Sequence, residues 1–236
     1  MTVLLQARSL SAGYGQVEVI RDIDLEVRGG EVVALLGANG AGKTTTLLTL
    51  AGVLPPDAGE VRWLERADRR PLHRRAREGL AYVSEERSVF QRLTARQNLA
   101  ITRGGDIRRA ISAFPELEPL LHRRGGLLSG GEQQILSLAR ALSRPTRLLM
   151  ADELSLGLAP RVVGRLLRAV RAAADDGMEV LLVEQHVHRV LEIADRVYVL
   201  RNGRIEYSGS AEEARLRIDE IRRHYLSSAT TAGAPR

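Results

Sequence analysis

The chain has no cysteine, few aromatic residues and no long apolar run. The lack of cysteine excludes disulfide bonds, thiolate metal sites and a cysteine nucleophile. Aromatic residues make up 3% of the chain, which leaves few side chains on which nucleic-acid bases could stack. No apolar run approaches the roughly 18 residues that a membrane-spanning helix needs, and the first residues lack the pattern of a signal peptide. These absences favour a cytoplasmic protein.

Lysine is nearly absent as well, although the chain is basic. Of the 35 lysine and arginine residues only Lys43 is a lysine, and the formal net charge is +6. Most arginines are scattered or alternate with acids, as in residues 62–70, which favours a solvated surface over a nucleic-acid interface. We therefore expect no nucleic-acid partner. Attraction to anionic lipid headgroups is the remaining alternative for the excess charge.

The single lysine stands inside a glycine-rich motif. The pattern G-x-x-x-x-G-K-[ST] forms the loop that cradles the phosphates of a nucleotide, and a compact ammonium fits between phosphates where a broad guanidinium does not. The residues of this phosphate loop are Gly37, Ala38, Asn39, Gly40, Ala41, Gly42, Lys43 and Thr44. The alternative is a chance glycine-rich turn before a helix.

The flanking sequence favours the phosphate loop over a chance turn. Residues 31–36 are an apolar run typical of a buried strand, and residues 44–51 are typical of a helix. In that arrangement the amides of residues 38–45, including that of Thr45, point into one concavity at the positive end of the helix. We expect a nucleotide there, with the Thr44 hydroxyl as a ligand of Mg²⁺.

A second pattern is the apolar strand predicted at 147–151, which runs into two carboxylates. Asp152 at the strand terminus is placed to hold Mg²⁺, usually through water, and Glu153 to orient or deprotonate an attacking water. Two acids at a strand end also fit an ordinary strand terminus. Their position downstream of a phosphate loop favours catalysis, with Lys43 supplying positive charge.

A third pattern, LSGGEQQ, occupies residues 128–134. Ser129 and Glu132 have the spacing of a capping box, so the segment also fits an ordinary helix start. Two glycines in a first helical turn cost about 1 kcal/mol each relative to alanine, but they leave backbone amides unhindered for an anion. Because one chain cannot easily bring both anion sites onto one phosphate, the segment predicts a partner chain.

Strand and helix signals alternate along the chain. The predicted strands are residues 2–8, 22–28, 31–36, 60–63, 80–83, 147–151, 179–184, 196–201 and 204–208, and the predicted helices are residues 43–51, 72–79, 131–143, 160–175, 188–195 and 210–225. The pattern implies an α/β fold with a mostly parallel sheet, after an antiparallel N-terminal part with a turn at 11–15. Residues 1–226 are then one domain with an inserted helical subdomain at about 86–128. Residues 227–236 are expected to be a disordered tail.

Taken together, the phosphate loop, the LSGGEQQ segment and the strand ending in Asp-Glu resemble an ATP-binding-cassette (ABC) ATPase, over residues 2–226. The resemblance implies a P-loop NTPase fold that binds ATP and Mg²⁺. It also implies a dimer that encloses two ATP molecules, each held by the phosphate loop of one chain and by Ser129, Gly130 and Gly131 of the other. Tyr14 matches the aromatic residue that stacks on adenine, and an ordinary turn tyrosine is the alternative.

Residues 152–160, DELSLGLAP, narrow the resemblance to one subfamily. They are similar to the DEPSLGLAP run of branched-chain amino acid importers, with Leu154 in place of proline. Residues 82–90 resemble the YVPEGR-x-VF segment of the same subfamily, which places Glu85 where most cassettes have glutamine. The resemblance implies that Glu85 belongs to the metal site, together with the two Mg²⁺ residues given above.

The same resemblance sets the residue expected to sense the γ-phosphate. Residues 182–185, LVEQ, and residues 191–196, LEIADR, are similar to the LVEQN…LEIADR pattern of the subfamily. Counting back along this pattern places Gln185, rather than His186, at the switch position. His186 stays as the alternative, because an imidazole could also donate to a phosphate. His188 is expected on a helix surface.

We therefore expect an ATPase subunit on the inner face of the cell membrane, most like the second ATPase subunit (LivF type) of branched-chain amino acid importers. Its expected partners are a second cassette, either a paralogue or a copy of itself, membrane permease subunits and, indirectly, a substrate-binding protein. The alternatives are an importer of urea or short amides, and a cassette ATPase of translation or DNA repair. A regulatory nucleotide-binding module without turnover is disfavoured by Glu153.

Overall fold

Ten strands and nine α-helices make up the part of the chain that the computed structural model describes, residues 3–184 and 187–226. The strands are β1 (Val3–Tyr14), β2 (Val17–Arg28), β3 (Val32–Leu36), β4 (Ala58–Trp63), β5 (Arg66–Ala67), β6 (Leu80–Val83), β7 (Leu148–Asp152), β8 (Glu179–Glu184), β9 (Arg196–Arg201) and β10 (Arg204–Ser210). The α-helices are α1 (Lys43–Ala51), α2 (Leu72–Arg77), α3 (Ala95–Ala100), α4 (Ile107–Ala113), α5 (Gly130–Leu142), α6 (Pro160–Asp175), α7 (Val187–Leu191), α8 (Ala211–Leu216) and α9 (Ile218–Leu226).

The larger sheet has six strands in the order β10-β9-β3-β8-β7-β6, and all except β10 run parallel. The central strand β3 is buried along its whole length, because both faces of the sheet are covered. Val33 and Leu35 pack with the N-terminal strands and α1. Val32, Ala34 and Leu36 pack with the helices on the opposite face. The predicted α/β fold with a mostly parallel sheet is therefore confirmed.

The smaller sheet is the predicted antiparallel N-terminal part, with the strand order β2-β1-β4-β5. The turn predicted at 11–15 is wrong, because β1 continues to Tyr14 and β2 already starts at Val17. Register shifts in this pair and the small size of Gly13 allow the close approach, since a Cβ there would lie 1.9 Å from the Val17 oxygen. The strand predicted at 60–63 is present as β4, and it is not the edge strand that its short length suggested, because it pairs with β1 on one side and with β5 on the other.

Residues 84–147, all of which the structure describes, contain helices and turns but no strand. Besides α3, α4 and α5 they form two short 3₁₀ helices, Pro115–Leu120 and Gly125–Leu127. Their apolar side chains, Phe114 among them, join the core on one face of the larger sheet. The limits 86–128 of an inserted subdomain stay a prediction. No α-helix within residues 3–184 and 187–226 is long and apolar enough to cross a membrane.

The end of the chain departs from the prediction in two places. The helix predicted at 210–225 is divided into α8 and α9, because the backbone of Arg217 is not helical and has a φ of −106°. The helix predicted at 188–195 ends earlier, at the last residue of α7. The strands predicted at 196–201 and 204–208 are confirmed as β9 and β10, and the turn between them joins them as a hairpin in which Arg201 pairs with Arg204. The tail predicted at 227–236 lies outside the described residues.

Candidate active site

The phosphate loop joins the end of β3 to the start of α1, and two of its glycines stand where other atoms approach closely. Gly42 has a φ of 105°, and a Cβ there would lie 2.8 Å from Ile20 Cγ2. A Cβ at Gly37 would lie 2.6 Å from the Leu200 carbonyl oxygen. A larger residue at either position would displace the loop from the strands behind it.

Lys43 is the first residue of α1 and is 5% exposed. Its Nζ donates to the Ala38 carbonyl oxygen at 3.1 Å and lies 3.6 Å from Glu153 Oε1. The N-cap of the helix is Gly42, which has no side chain, and no acid stands in the first turn. The positive end of α1 and the ammonium of Lys43 therefore face the same region, as an anion site requires.

Asp152 ends β7 and is 2% exposed. Burial raises the pKa of its carboxyl to about 6, a hydrogen bond with Thr44 opposes this shift, and the neighbouring charges of Glu153 and Glu85 add to it. Asp152 Oδ1 has no hydrogen-bond partner among the described residues. A buried carboxylate with an unused oxygen and acidic neighbours fits a bound cation.

Glu153 follows β7 in an unusual backbone conformation, with a φ of 48°. Its amide donates to the Val183 carbonyl oxygen at 2.9 Å, so the turn is attached to the neighbouring strand β8. Non-glycine residues in this region of backbone space cost on the order of 1–3 kcal/mol and are common at active sites. The turn aims the Glu153 carboxylate back at Lys43.

Lys43 and Glu153 meet at one cavity of about 420 Å³, whose lining does not include Asp152. Eight predicted site residues line it: Asn39, Gly40, Gly42, Lys43, Thr44, Thr45, Glu85 and Glu153. Val19 and Leu156, which the sequence patterns did not single out, also line it. Ala41 belongs to the body of the loop, where its amide donates to the Ala38 carbonyl oxygen. The tertiary structure therefore collects residues from four separate segments of the chain at one place.

The metal residues predicted from the sequence do not form a complete cage. Among the described residues no group of three or more His, Asp or Glu side chains is arranged to hold a metal ion. Thr44, Asp152 and Glu85 together offer one hydroxyl and two carboxylates. Mg²⁺ in proteins usually takes one or two carboxylates, with phosphates and water as further ligands. The residues present therefore fit Mg²⁺ that binds together with a nucleotide.

Two other predicted groups lie outside the lining of this cavity. Tyr14 stands at the end of β1 with 52% of its surface exposed. Ser129, Gly130 and Gly131 lie at the start of α5, where a Cβ on Gly130 would come within 3.0 Å of Arg87 Nη1. Neither group belongs to the lining of the cavity at the phosphate loop.

The predicted switch residue Gln185, and its neighbour His186, lie outside the described residues. The last described residue before them is Glu184, which the sequence patterns did not single out. Glu184 is buried at the end of β8 and accepts hydrogen bonds from the amide and the hydroxyl of Ser155. A signal for it existed, because Glu184 ends an apolar strand with an acid just as Asp152 does.

A larger cavity, of about 930 Å³, lies at the other end of β8, near Glu179. Arginines from α4 and α6 line it together with Met178. None of the residues predicted to bind nucleotide or metal belongs to this lining. Size alone therefore does not identify the site in this molecule, and the convergence of chemical groups does.

The family model and the relatives that match this chain indicate one and the same protein family. Residues 20–155 match the family model described as ABC transporter. The chain is 39% identical to the high-affinity branched-chain amino acid transport ATP-binding protein BraG of Pseudomonas aeruginosa, over 86% of this chain and 91% of that one. It is 35% identical to a probable branched-chain amino acid transport ATP-binding protein LivF of Archaeoglobus fulgidus, over 89% and 93%. It is 36% identical to the lipopolysaccharide export system ATP-binding protein LptB of Acidithiobacillus ferridurans, over 96% and 98%.

Solved structures show the same fold. A nucleotide-free ATP-binding cassette from an ABC transporter superposes with a TM-score of 0.82 at 22% identity, over 98% of this chain and all of that one. A bacterial ABC transporter cassette described as dimeric superposes with a TM-score of 0.79 at 21% identity, over 88% of this chain and 99% of that one. The family model and the relatives agree with the geometry of the site. The chain therefore belongs to the ABC transporter family, as an ATP-binding subunit with ATPase activity.

Proposed function

We propose that this subunit hydrolyses ATP to drive an importer, and that branched-chain amino acids are its cargo. The observation that carries the catalytic part is the single cavity at which Lys43, Thr44, Glu85 and Glu153 meet, with Asp152 beside it. These are the group types that phosphoryl transfer to water needs, since that reaction depends on positioning and charge neutralisation.

The phosphate loop binds the ATP phosphates through its amides and Lys43. In the structure Lys43 Nζ lies near Glu153 and the Ala38 carbonyl oxygen, and a phosphate would give this ammonium a stronger partner than either. Thr44, Asp152 and Glu85 would hold Mg²⁺, which would supply positive charge beside the phosphates. Asp152, whose pKa is raised by burial to about 6, would be held in its ionised form by such a cation.

Glu153 orients and deprotonates the attacking water. Its carboxylate lines the cavity and is held toward Lys43 by the turn after β7. Gln185 is proposed to donate to the γ-phosphate, and Tyr14 to stack on adenine with its exposed ring. Ser129, Gly130 and Gly131 are proposed to bind the ATP of a partner cassette. A solved cassette of the same fold is described as dimeric, which supports a second cassette as the partner.

The choice of cargo rests on sequence similarity. The relatives BraG and LivF are named as branched-chain amino acid transport proteins, and the DELSLGLAP run at 152–160 resembles that subfamily. A specific observation favours a second candidate, because the LptB relative, named for lipopolysaccharide export, is 36% identical over 96% of this chain. An importer of urea or short amides, and a cassette ATPase of translation or DNA repair, stay as further alternatives.

We further propose that the subunit sits on the inner face of the cell membrane and contacts permease subunits. The helical residues between β6 and β7, with Glu85 at the start of this stretch, would transmit the nucleotide state to the permease. Arginines exposed on the surface would add attraction to anionic headgroups. A substrate-binding protein would act indirectly, through the permease.

Two measurements test the proposal. Mg²⁺-dependent release of phosphate from ATP by the purified chain, lost in Glu153→Gln, tests the catalytic part. Co-purification of the chain with its membrane partners, followed by reconstitution in vesicles, tests the cargo. ATP hydrolysis stimulated by a binding protein loaded with leucine, but not with urea, supports the importer. Stimulation by lipopolysaccharide alone would favour the export candidate instead.

A further inference from the structure

Glu184 is a buried carboxylate that the proposed hydrolysis step does not use. It is 1% exposed, and both of its oxygens accept hydrogen bonds from one residue, Ser155. The Ser155 amide donates to Oε1 at 3.0 Å, and the Ser155 hydroxyl donates to Oε2 at 2.5 Å. Ser155 is itself 5% exposed, so water competes little with this pair.

An acid at this position is costly for the fold. Glu184 is the last residue of β8, whose other residues are also buried, and a carboxylate moved from water into such surroundings must be compensated by hydrogen bonds. The five residues before it include a run of Val180, Leu181, Leu182 and Val183 that fills the core without polar groups. The carboxylate at the end of this strand therefore has a task that an apolar side chain would not perform.

The position of Ser155 indicates that task. Ser155 follows Glu153 by two residues, in the turn that places Glu153 at a φ of 48°. The turn is attached to β8 at its start, where the Glu153 amide donates to the Val183 oxygen. The hydrogen bonds to Glu184 attach it again at Ser155. Two attachments to one strand hold a conformation that would otherwise relax.

The same strand also borders the phosphate loop. In the parallel pairing of β8 with β3, Glu184 stands opposite Leu36, the last residue before the loop. In the pairing of β8 with β7, Val183 stands opposite Asp152. Glu184 thus stands between the residue that leads into the phosphate-binding loop and the turn that carries the hydrolytic carboxylate.

We propose that Glu184 and Ser155 act as a positioning pair that fixes the Glu153 carboxylate relative to the ATP bound in the phosphate loop. The inference rests on the proposed ATPase function and adds two residues that do not line the cavity at the phosphate loop. Loosening the pair would leave Lys43 and the loop amides in place but let the Glu153 turn move. Catalysis would suffer while nucleotide binding would not.

The test is steady-state ATP hydrolysis and ATP affinity of the full chain and its Ser155→Ala, Glu184→Gln and doubly substituted variants. Each single variant is expected to lower kcat about tenfold, which corresponds to about 1.4 kcal/mol of activation free energy, with ATP affinity unchanged. The kcat of the double variant should be close to the kcat of the less active single variant, because both changes break the same unit.

The matched control is Ser143→Ala. Ser143 is 1% exposed, and its hydroxyl donates to the Arg140 carbonyl oxygen at 2.9 Å at the end of α5, away from the cavity. It is expected to lose stability much as Ser155→Ala does, since each change removes one buried hydrogen bond, but to keep the parent kcat.

The outcomes separate the inference from the proposed function. If the parent chain hydrolyses no ATP, the proposed function fails and this inference fails with it. If the parent is active and the variants keep its kcat, or lose kcat and ATP affinity together in step with their melting temperatures, the positioning role is overturned. If Ser155→Ala does not fold, the isosteric Glu184→Gln decides alone. If neither folds, the pair is a requirement of folding and the positioning role is overturned.

Discussion

The two helices that start at the predicted anion sites begin in opposite ways. α1 follows Gly42, which is in the left-handed region and has no side chain to cap the helix. α5 follows Ser129, and a capping box closes its start. There the Ser129 amide donates to the Glu132 carboxylate at 2.6 Å, and the Glu132 amide donates to the Ser129 hydroxyl at 3.3 Å. One helix start leaves its amides to a ligand, and the other satisfies two donors with its own side chains.

The difference suggests that the two sites act in sequence. An anion at the start of α1 would lie beside the positive end of the helix and the Lys43 ammonium, and the first turn contains no acidic residue that would repel it. At α5 an anion meets a first turn that already contains the Glu132 carboxylate, which competes for the positive end of the helix. We expect the phosphate loop to bind ATP on its own. The start of α5 should contribute only when a partner's phosphate loop presents an ATP molecule that is already held.

The largest effect expected from this comparison is that of Glu153→Gln. The change keeps both anion sites and removes the general base, whose contribution is on the order of 10²–10⁴-fold in rate. ATP hydrolysis should fall by that factor while ATP affinity stays, and an ATP-bound dimer should accumulate. Phosphate release and the mass of the complex in ATP measure both effects. Equal hydrolysis in variant and parent would contradict the assigned role.

The next effect concerns the lone lysine at the start of α1. Lys43→Ala and Lys43→Arg should both weaken ATP binding by about 10–100-fold, the range expected for hydrogen bonds to charged groups. Arginine keeps the charge, but its broad guanidinium does not fit a pocket closed by Ala38 and Glu153. Equilibrium binding of a fluorescent ATP analogue measures the affinity. Parent-like binding by Lys43→Arg would show that charge alone suffices at this site.

An effect of intermediate size is expected from Gln185, the predicted γ-phosphate sensor, compared with its neighbour His186. Gln185→Ala should lower ATP turnover by up to about tenfold, the range of one neutral hydrogen bond, and His186→Ala should lower it much less. Because an amide does not titrate, and because bound Mg²⁺ would keep the Asp152 carboxylate ionised, the rate at saturating Mg²⁺ should show no inflection near pH 6.5, the ordinary pKa of histidine. The rate of ATP hydrolysis by both variants, measured at pH values from about 5.5 to about 8.5, tests this on both sides of the histidine pKa. If only His186→Ala lost most of its ATP turnover, the switch residue would be His186 rather than Gln185.

The smallest effect separates capping from ligand binding at α5. Ser129→Ala should lower the free energy of unfolding by about 1 kcal/mol, as loss of an N-cap does. Ser210→Ala is the matched control, because Ser210 and Glu213 form the same capping box at α8. Both variants should lose similar stability in urea unfolding, but only Ser129→Ala should also lower turnover. Identical turnover in the two would mean that Ser129 serves only the helix.

Patterns within short segments predicted much of this molecule because their causes are local. The phosphate loop needs glycines, a lysine and a following helix within a few residues, and all stand in the sequence. The alternation of strands and helices follows from apolar periodicity, which likewise acts within one element. The extent of β1 and the break at Arg217 were missed, because register shifts and packing against other elements decide them.

The sequence by itself determined which chemical groups are present and in what order: the lone Lys43, the acids after the strand at 147–151 and the glycines of LSGG. Only the tertiary structure decided which of them meet. It brings Glu85 and Glu153 to the phosphate loop, and it joins Ser155 to Glu184 across 29 positions of the chain. The physical reason is that parallel pairing aligns the carboxyl ends of distant strands at one edge of the sheet. No pattern confined to one segment contains that alignment.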